Sequence, residues 1–188
     1  MQSQNKITED SNWQKVSDYL GDAPFPLQYK AALLHNQHRI ILLIDMDPGG
    51  GFESGFEFTS LSAAVPVQFT SLKANVSRDI FRFALHDQGV MDRVSKFFGM
   101  EDMIVGFTEF DKQLIVKTND VERLKECFAD AETRKVFQSL SEFSLQTIND
   151  EEKDHSTTLE FMIDRAITDI SELKKIYDAF VKVLDFLN

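Results

Sequence analysis

The feature that most constrains the fold is a series of strand-like segments with no helix-like segment between them. From residue 27 to residue 86, large apolar residues recur at every second position, in segments separated by short polar or glycine-containing stretches. Parallel strands need a long crossover connection, so strands joined by short turns indicate antiparallel pairing. We therefore predict an α+β fold: a mostly antiparallel sheet of several strands, with helices packed on one side and a long C-terminal helix.

The predicted strands begin with a hairpin. Residues 27–35 and 38–46 flank the turn Asn36-Gln37, and the second segment is apolar on both faces, which predicts a central strand. A glycine-rich loop is expected over residues 45–51. Further strands of one antiparallel meander are predicted over residues 51–58, 65–70 and 80–86.

Outside this series the apolar residues mostly follow a helical period. We predict a flexible tail over residues 1–9 and a single domain over residues 10–188. The first helix is expected to begin at Ser11 and to end at Gly21. Further helices are predicted over residues 90–98, 121–128, 131–140 and 170–188, and two further strand pairs over residues 103–118, turning near Asp111, and 143–163.

The last helix has the most regular pattern in the chain. Asp169 and Glu172 have the spacing of a capping box at its start. The apolar stripe that follows, at spacings of three and four, consists of Ile170, Leu173, Tyr177, Phe180, Leu184 and Leu187. We predict that this stripe packs across the sheet. The alternative is a coiled-coil seam in a homodimer, with Tyr177, Phe180 and Leu184 as interaction residues.

The charge of the chain argues against several classes of partner. It has 20 Lys and Arg against 31 Asp and Glu, a net charge of −11 that lies mostly in the second half. Such a surface repels nucleic acid and anionic membranes. The longest apolar run, residues 40–44, is far below the ~20 residues of a membrane span. Because the first twenty residues also lack an apolar signal stretch, we expect a cytoplasmic protein with no membrane span.

Phenylalanine dominates the aromatic residues. The chain has 17 Phe, three Tyr and one Trp. Phe offers apolar area without a polar group, whereas binding hot spots favour Tyr, Trp and Arg. The Phe residues are therefore expected to form the core. Cys127, the single cysteine, can form no internal disulfide, and we expect it to be a buried filler.

Two acidic residues follow an apolar segment in a pattern used by some enzymes. Asp45 and Asp47, in IILLIDMDPGGG, resemble the first motif of haloacid-dehalogenase-type phosphotransferases and the metal-binding D-x-D of some glycosyltransferases. That resemblance would imply a Mg²⁺-dependent phosphohydrolase-like enzyme. The following segment resembles a strand rather than the expected helix, so we favour two solvated carboxylates in a hairpin loop.

Two histidines are the candidate metal ligands. His35 and His38 stand at the two ends of the tight turn Asn36-Gln37. A zinc site would need further His, Cys or carboxylate ligands, and the two other histidines, His86 and His155, are distant in sequence. We therefore favour exposed hairpin histidines and expect neither a metal nor a cofactor.

Residues 99–120 carry a recognisable pattern. They read G-x-x-D-(apolar)-x-(apolar)-G and then F-D-x-x-L-x-(apolar)-K-x-x-D, and they resemble a group of uncharacterised bacterial proteins in which Phe usually replaces Leu114. The group has no assigned activity, so the resemblance implies fold alone. Gly106 permits a close backbone approach, Phe110 anchors a turn, and Asp111 accepts bonds from backbone donors there. We assign Asp102 and Asp111 structural roles.

These observations favour a binding function over chemistry. Apolar content, an acidic exterior and the lack of a complete catalytic signature are typical of a non-enzymatic binding or interaction module. Its partner would be a protein or an apolar ligand enclosed by the Phe residues. The alternatives are the phosphohydrolase that uses Asp45 and Asp47, and a structural protein that oligomerises through the last helix.

Overall fold

The described part of the chain forms one antiparallel sheet with helices. The structure, a computed structural model, describes residues 13–21, 27–47, 67–76, 81–87, 102–150 and 156–188. Helix α1 spans residues 13–21. The other elements are β1 (Leu27–His35), β2 (His38–Asp47), β3 (Val67–Val76), β4 (Phe83–Asp87), α2 (Thr108–Gln113), β5 (Leu114–Thr118), α3 (Val121–Cys127), α4 (Ala131–Gln138), β6 (Phe143–Asp150), β7 (Ser156–Ile163) and α5 (Ile170–Leu187).

The sheet has seven strands in the order β1-β2-β3-β7-β6-β4-β5, and all neighbours are antiparallel. This confirms the predicted α+β class. The prediction that β2 is central is wrong, because β2 lies next to the edge strand and β7 occupies the centre. The meander also stops at β3, since β6 and β7 stand between β3 and β4. On β2, the apolar residues of one face are buried, and those of the other face, Ile41 and Leu43, are half-buried. This second apolar face led to the prediction of a central position.

One face of the sheet, the inner face, carries the core. Residues directly opposite each other form a continuous apolar row across all seven strands: Ala31, Leu42, Leu72, Phe161, Leu145, Leu85 and Val116. Six of these seven are fully buried, and Ala31 on the edge strand is half-buried. The period-two alternation in the sequence therefore does specify which face of each strand turns inward.

Helix α5 packs against this core as predicted. The Asp169 side chain accepts a hydrogen bond from the Glu172 backbone N–H, which caps the helix start. Five of the six residues of the apolar stripe are buried, with Tyr177, Phe180 and Leu184 no more than 1% exposed, and Ile170 is half-buried. The Tyr177 ring meets Trp13 of α1 edge-on at 5.1 Å. The three residues considered for a homodimer seam are thus occupied by contacts within one chain.

Phenylalanine rings fill the space between the inner face and helices α2 to α4, as expected from composition. Their centroids lie 5.3 to 6.4 Å apart in a connected cluster, within the range of favourable ring contacts. The members are Phe83, Phe110, Phe128, Phe137, Phe143 and Phe161. All six are fully buried, and each such ring stabilises the fold by about 1.5–3 kcal/mol through its burial.

The segment predicted as a hairpin over residues 103–118 has a different structure. Residues 108–113 form helix α2, and only residues 114–118 form a strand, β5. Before α2, the Met103 N–H donates to the Val116 carbonyl of β5 at 2.8 Å. The alternating apolar residues around Phe107 had suggested a strand. The Asp111 bonds described below instead hold this stretch in a turn that leads into the helix.

Several other boundaries differ from prediction. β2 continues through Asp47 and β3 through Val76, so both strands are longer than expected. Helices α3 and α4 and the pair β6–β7 are confirmed. The tail 1–9, the strand 51–58 and the helix 90–98 lie outside the described residues. Within the ranges that the structure describes, no helix combines the length and apolar character needed to cross a bilayer.

Candidate functional site

Asp45 and Asp47, the proposed phosphohydrolase residues, lie in strand β2 and not in the predicted loop. Asp45 Oδ2 accepts a hydrogen bond from the Gln28 side-chain amide at 2.9 Å. The Asp47 side chain is outside the described part. Among the described residues, no group of three or more His, Cys, Asp or Glu side chains could hold a metal ion. In the described part of the chain, Asp45 is therefore bonded to a side-chain amide and belongs to no cluster that could hold a metal ion.

His35 and His38 face each other across the hairpin turn. The His35 imidazole Nε2 lies 2.9 Å from Oδ2 and 3.0 Å from Oδ1 of Asp185 on α5. Asn36, with a positive φ of 53° in the turn, donates from Nδ2 to Asp185 at 3.2 Å. His38 is half-buried beside this contact. The arrangement fastens the hairpin tip to the end of α5, and it gives His35 a structural partner.

Cys127 is buried at the end of α3, as expected. Burial raises the pKa of the Cys127 thiol to about 12, and the nearby Arg123 cation opposes only part of that rise. A thiol with so high a pKa is almost entirely protonated at neutral pH. Cys127 therefore lacks the thiolate that a nucleophile needs.

The described part of the pattern, residues 102–120, is explained by the local structure. Asp111 Oδ1 accepts from the Val105 N–H at 2.9 Å, and Oδ2 accepts from the Gly106 N–H at 2.8 Å. Gly106 has φ of +98°, a conformation that favours glycine. Asp102 forms an ion pair with Lys117 at 3.1 Å. The predicted backbone bonds of Asp111 are thus present, and these residues hold the turn that precedes α2.

The turn forms one wall of an open groove, the α2–α4 groove. It has a volume of about 390 Å³ and lies between residues 106–110 and helix α4. Its apolar surface includes the half-buried Phe107, which meets the buried Phe110 edge-on at 6.4 Å. Arg134, Lys135 and Gln138 line the α4 side. Neither Phe107 nor Arg134 was singled out by the sequence analysis.

Arg134 is fixed in place over Phe107. Its guanidinium carbon lies 3.8 Å from the centroid of the Phe107 ring, a cation–π contact. Its Nη1 donates to the carbonyls of Phe128 and Ala129, the latter at 2.8 Å. These bonds connect α4 to the end of α3. The pair is therefore held in one arrangement before any ligand arrives.

The rim of the groove is basic. The Lys125 ammonium reaches over Gly106, where a β-carbon added to the glycine would lie 3.8 Å from Nζ. Lys135 forms an ion pair with Glu132 at 2.7 Å within the same helix. The acidic residue of the lining, Glu109, forms an ion pair with Lys112 at 2.9 Å. Lys125 and Arg134, which form no ion pair in the described part of the chain, thus give this rim an excess of basic groups, on a chain whose net charge is −11.

One large apolar residue shortly before the groove lining in sequence is exposed. Ile104 is 79% exposed, and it follows Met103, whose backbone N–H is bonded to the edge strand β5. It is not part of the groove lining, and a single exposed apolar residue is ordinary on a protein surface.

A buried histidine on the other face of the sheet is the second candidate. His86 is 1% exposed, and its Nδ1 lies 2.8 Å from the Asp87 carbonyl oxygen. Since a carbonyl only accepts, Nδ1 carries the proton, and Nε2 has no hydrogen-bond partner in the described part of the chain. Ser144 lies directly opposite on β6 and is also buried. With both side chains closed to solvent, this pair offers no entry for a substrate.

The groove could not be found from the sequence, because its two sides come from segments about 25 residues apart and one of them was predicted as a strand. The sequence features that could have indicated the groove are Gly106-Phe107 and the basic pair Arg134-Lys135 on a predicted helix. No protein-family model matches the chain, and no curated protein and no solved structure matches it. The proposed function therefore rests on the geometry alone.

Proposed function

We propose that this protein is a non-enzymatic interaction module that binds a protein partner through the α2–α4 groove. The observation that carries the proposal is the open groove itself, in which Arg134 fixes the half-buried Phe107. A cytoplasmic location remains part of the proposal, because the chain has one cysteine, which is buried.

The groove contains two residue types that are enriched at protein interfaces, Phe and Arg. Aromatic residues and arginine are enriched at interfaces, and lysine and glutamate are more common at the rim. Phe107 and Arg134 occupy the groove, with Lys135 and Glu109 more exposed. Because Arg134 is already held by two backbone carbonyls, less side-chain freedom is lost on binding.

A protein partner fits the structure better than an enclosed apolar ligand. The apolar-ligand version needed the Phe residues to line an internal space. The described rings instead contact one another, with Phe110 and Phe128 5.3 Å apart and Phe137 stacked on Phe143 at 5.9 Å. Rings that are packed together in this way fill the volume that such a ligand would need.

Site-specific photo-crosslinking in cells tests this function. A photoreactive amino acid is placed at Gln138, which lines the groove, and in a control variant at Lys175, an exposed residue of α5 outside the lining. We expect a covalent adduct with one defined protein from Gln138 and none from Lys175. The same adduct is expected to disappear when Phe107→Ala is added. Equal labelling at the two positions, or labelling that survives Phe107→Ala, would contradict the proposal.

A further inference from the structure

We infer that the partner segment bound in the α2–α4 groove is acidic and carries an apolar side chain among its carboxylates. This inference rests on the proposed function and adds the chemical class of the partner. It follows from three properties of the groove: its local charge, the donors of Arg134 and its apolar floor.

Charge is the first property. Three cations surround the groove, Lys125, Arg134 and Lys135. Lys135 is paired with Glu132, and Glu109, the acidic residue of the lining, is paired with Lys112, so among the described residues Lys125 and Arg134 supply the unbalanced positive charge. A concave surface with excess basic groups focuses a positive electrostatic potential. The rest of a chain whose net charge is −11 has an excess of acidic groups. A segment with negative charge is therefore attracted to this groove in preference to other surfaces of the protein.

Arg134 supplies directional recognition. A guanidinium has five N–H donors in a fixed plane. In the described part of the chain only its Nη1 bonds to protein carbonyls, so the donors on Nε and Nη2 stay available to a ligand. Carboxylates accept such paired donors well, and the bonds are about twice as strong as neutral ones. Arg134 can therefore bind a carboxylate while its face remains on Phe107.

The apolar floor excludes a ligand that is only charged. Phe107 contributes ring surface to the groove, whereas the other lining ring, Phe110, is itself fully buried. An apolar side chain of the partner would cover this surface and strengthen the charge interactions by removing water. A duplex nucleic acid fits poorly, because its phosphates extend past the groove toward the rest of a chain whose net charge is −11.

The test uses a phage-displayed library of random 12-residue peptides selected against the full-length protein at low salt. We expect the enriched peptides to combine several Asp or Glu residues with an aromatic or aliphatic residue. Binding of a synthetic enriched peptide should weaken at least tenfold in the double variant Lys125→Glu and Lys135→Glu. It should be unchanged within twofold in Lys175→Glu, which makes the same kind of charge change on another exposed surface. Circular dichroism checks that each variant is folded.

The outcomes separate this inference from the proposed function. Enriched peptides that lose binding in Phe107→Ala but carry no excess of acidic residues would overturn the acidic partner and leave the groove as the binding site. Peptides whose binding ignores Phe107→Ala as well as the charge reversals would overturn both.

Discussion

At the residue scale, individual side chains stabilise the turn and the core around the groove. Asp111 satisfies two backbone donors that the turn would otherwise leave unpaired, and Arg134 covers one face of Phe107. Cys127, in contrast, has only a packing role, because burial disfavours its charged form.

Cys127 is expected to be unreactive in the native protein. A thiol of pKa about 12 has a thiolate fraction on the order of 10⁻⁴ at pH 8, far below that of an exposed cysteine. We expect no reaction with a disulfide reagent over minutes at pH 8 and one thiol per chain after denaturation. Labelling of the native protein at the rate of free cysteine would contradict the buried position.

Asp111→Ala is expected to destabilise the fold by about 1–3 kcal/mol, because the Val105 and Gly106 N–H groups lose their acceptor. Urea unfolding measures the change. The matched control is Lys112→Ala, which removes an exposed ion pair with Glu109 and should change stability by less than about 1 kcal/mol. Equal effects of the two variants would show that Asp111 does not hold the turn.

At the element scale, the sequence predicted most helices and strands but not the order of the strands in the sheet. Caps and periodicity are local, so α3, α4, α5 and the pair β6–β7 could be predicted. The insertion of β6 and β7 between β3 and β4 depends on contacts between residues far apart in sequence, which no local pattern reports. Helix α2 was not predicted, because the bonds that hold it in place join the Asp111 side chain to the backbone of the preceding turn, and the apolar periodicity does not report such bonds. The groove was missed for the same reason, since α2 forms one of its walls.

The contact between α4 and α5 has a predicted pH dependence. Asp130 caps α4 by accepting from the Glu132 and Thr133 N–H groups, and it also accepts from Lys182 of α5 at 2.7 Å. The Lys182 bond, followed by the Thr133 bonds, holds the pKa of Asp130 below its ordinary value. A carboxyl whose pKa is lower in the folded state stabilises the fold above its unfolded pKa, and this contribution declines as the pH falls below that value.

Asp130→Ala should therefore lower the melting temperature by a few degrees at pH 7. The difference from the parent should shrink as the pH is lowered from 5 to 2, since the unfolded parent binds a proton at Asp130 more readily than the folded parent does, which favours unfolding. Thermal unfolding followed by circular dichroism at several pH values measures both effects. A difference that stays constant down to pH 2 would contradict the ionised cap.

At the scale of the whole molecule, the same residue type serves two purposes. Six phenylalanines form the connected core between the inner face and helices α2 to α4, and Phe107 stays half-buried at the groove. Composition predicted the core use correctly but offered no way to distinguish Phe107 from the others. The difference arises from the turn at Gly106, which places Phe107 under Arg134 at the surface.

Stability measurements should separate these two classes of phenylalanine. Phe137→Ala removes a fully buried ring that contacts Phe128, Phe143 and Phe161, and it should destabilise the protein by about 3–5 kcal/mol. Phe107→Ala should cost about 1 kcal/mol, mainly through loss of the cation–π contact. Chemical unfolding measures both, and comparable losses would show that Phe107 belongs to the core.

The central claim is that the α2–α4 groove is a binding surface, and the affinity for the crosslinked partner tests it most directly. Isothermal titration calorimetry would compare the purified parent with Phe107→Ala, using the partner identified from Gln138. We expect Kd to rise at least tenfold, about 1.4 kcal/mol, as for a residue at an interface hot spot, while the variant stays folded. An unchanged Kd in the folded Phe107→Ala variant would contradict the account.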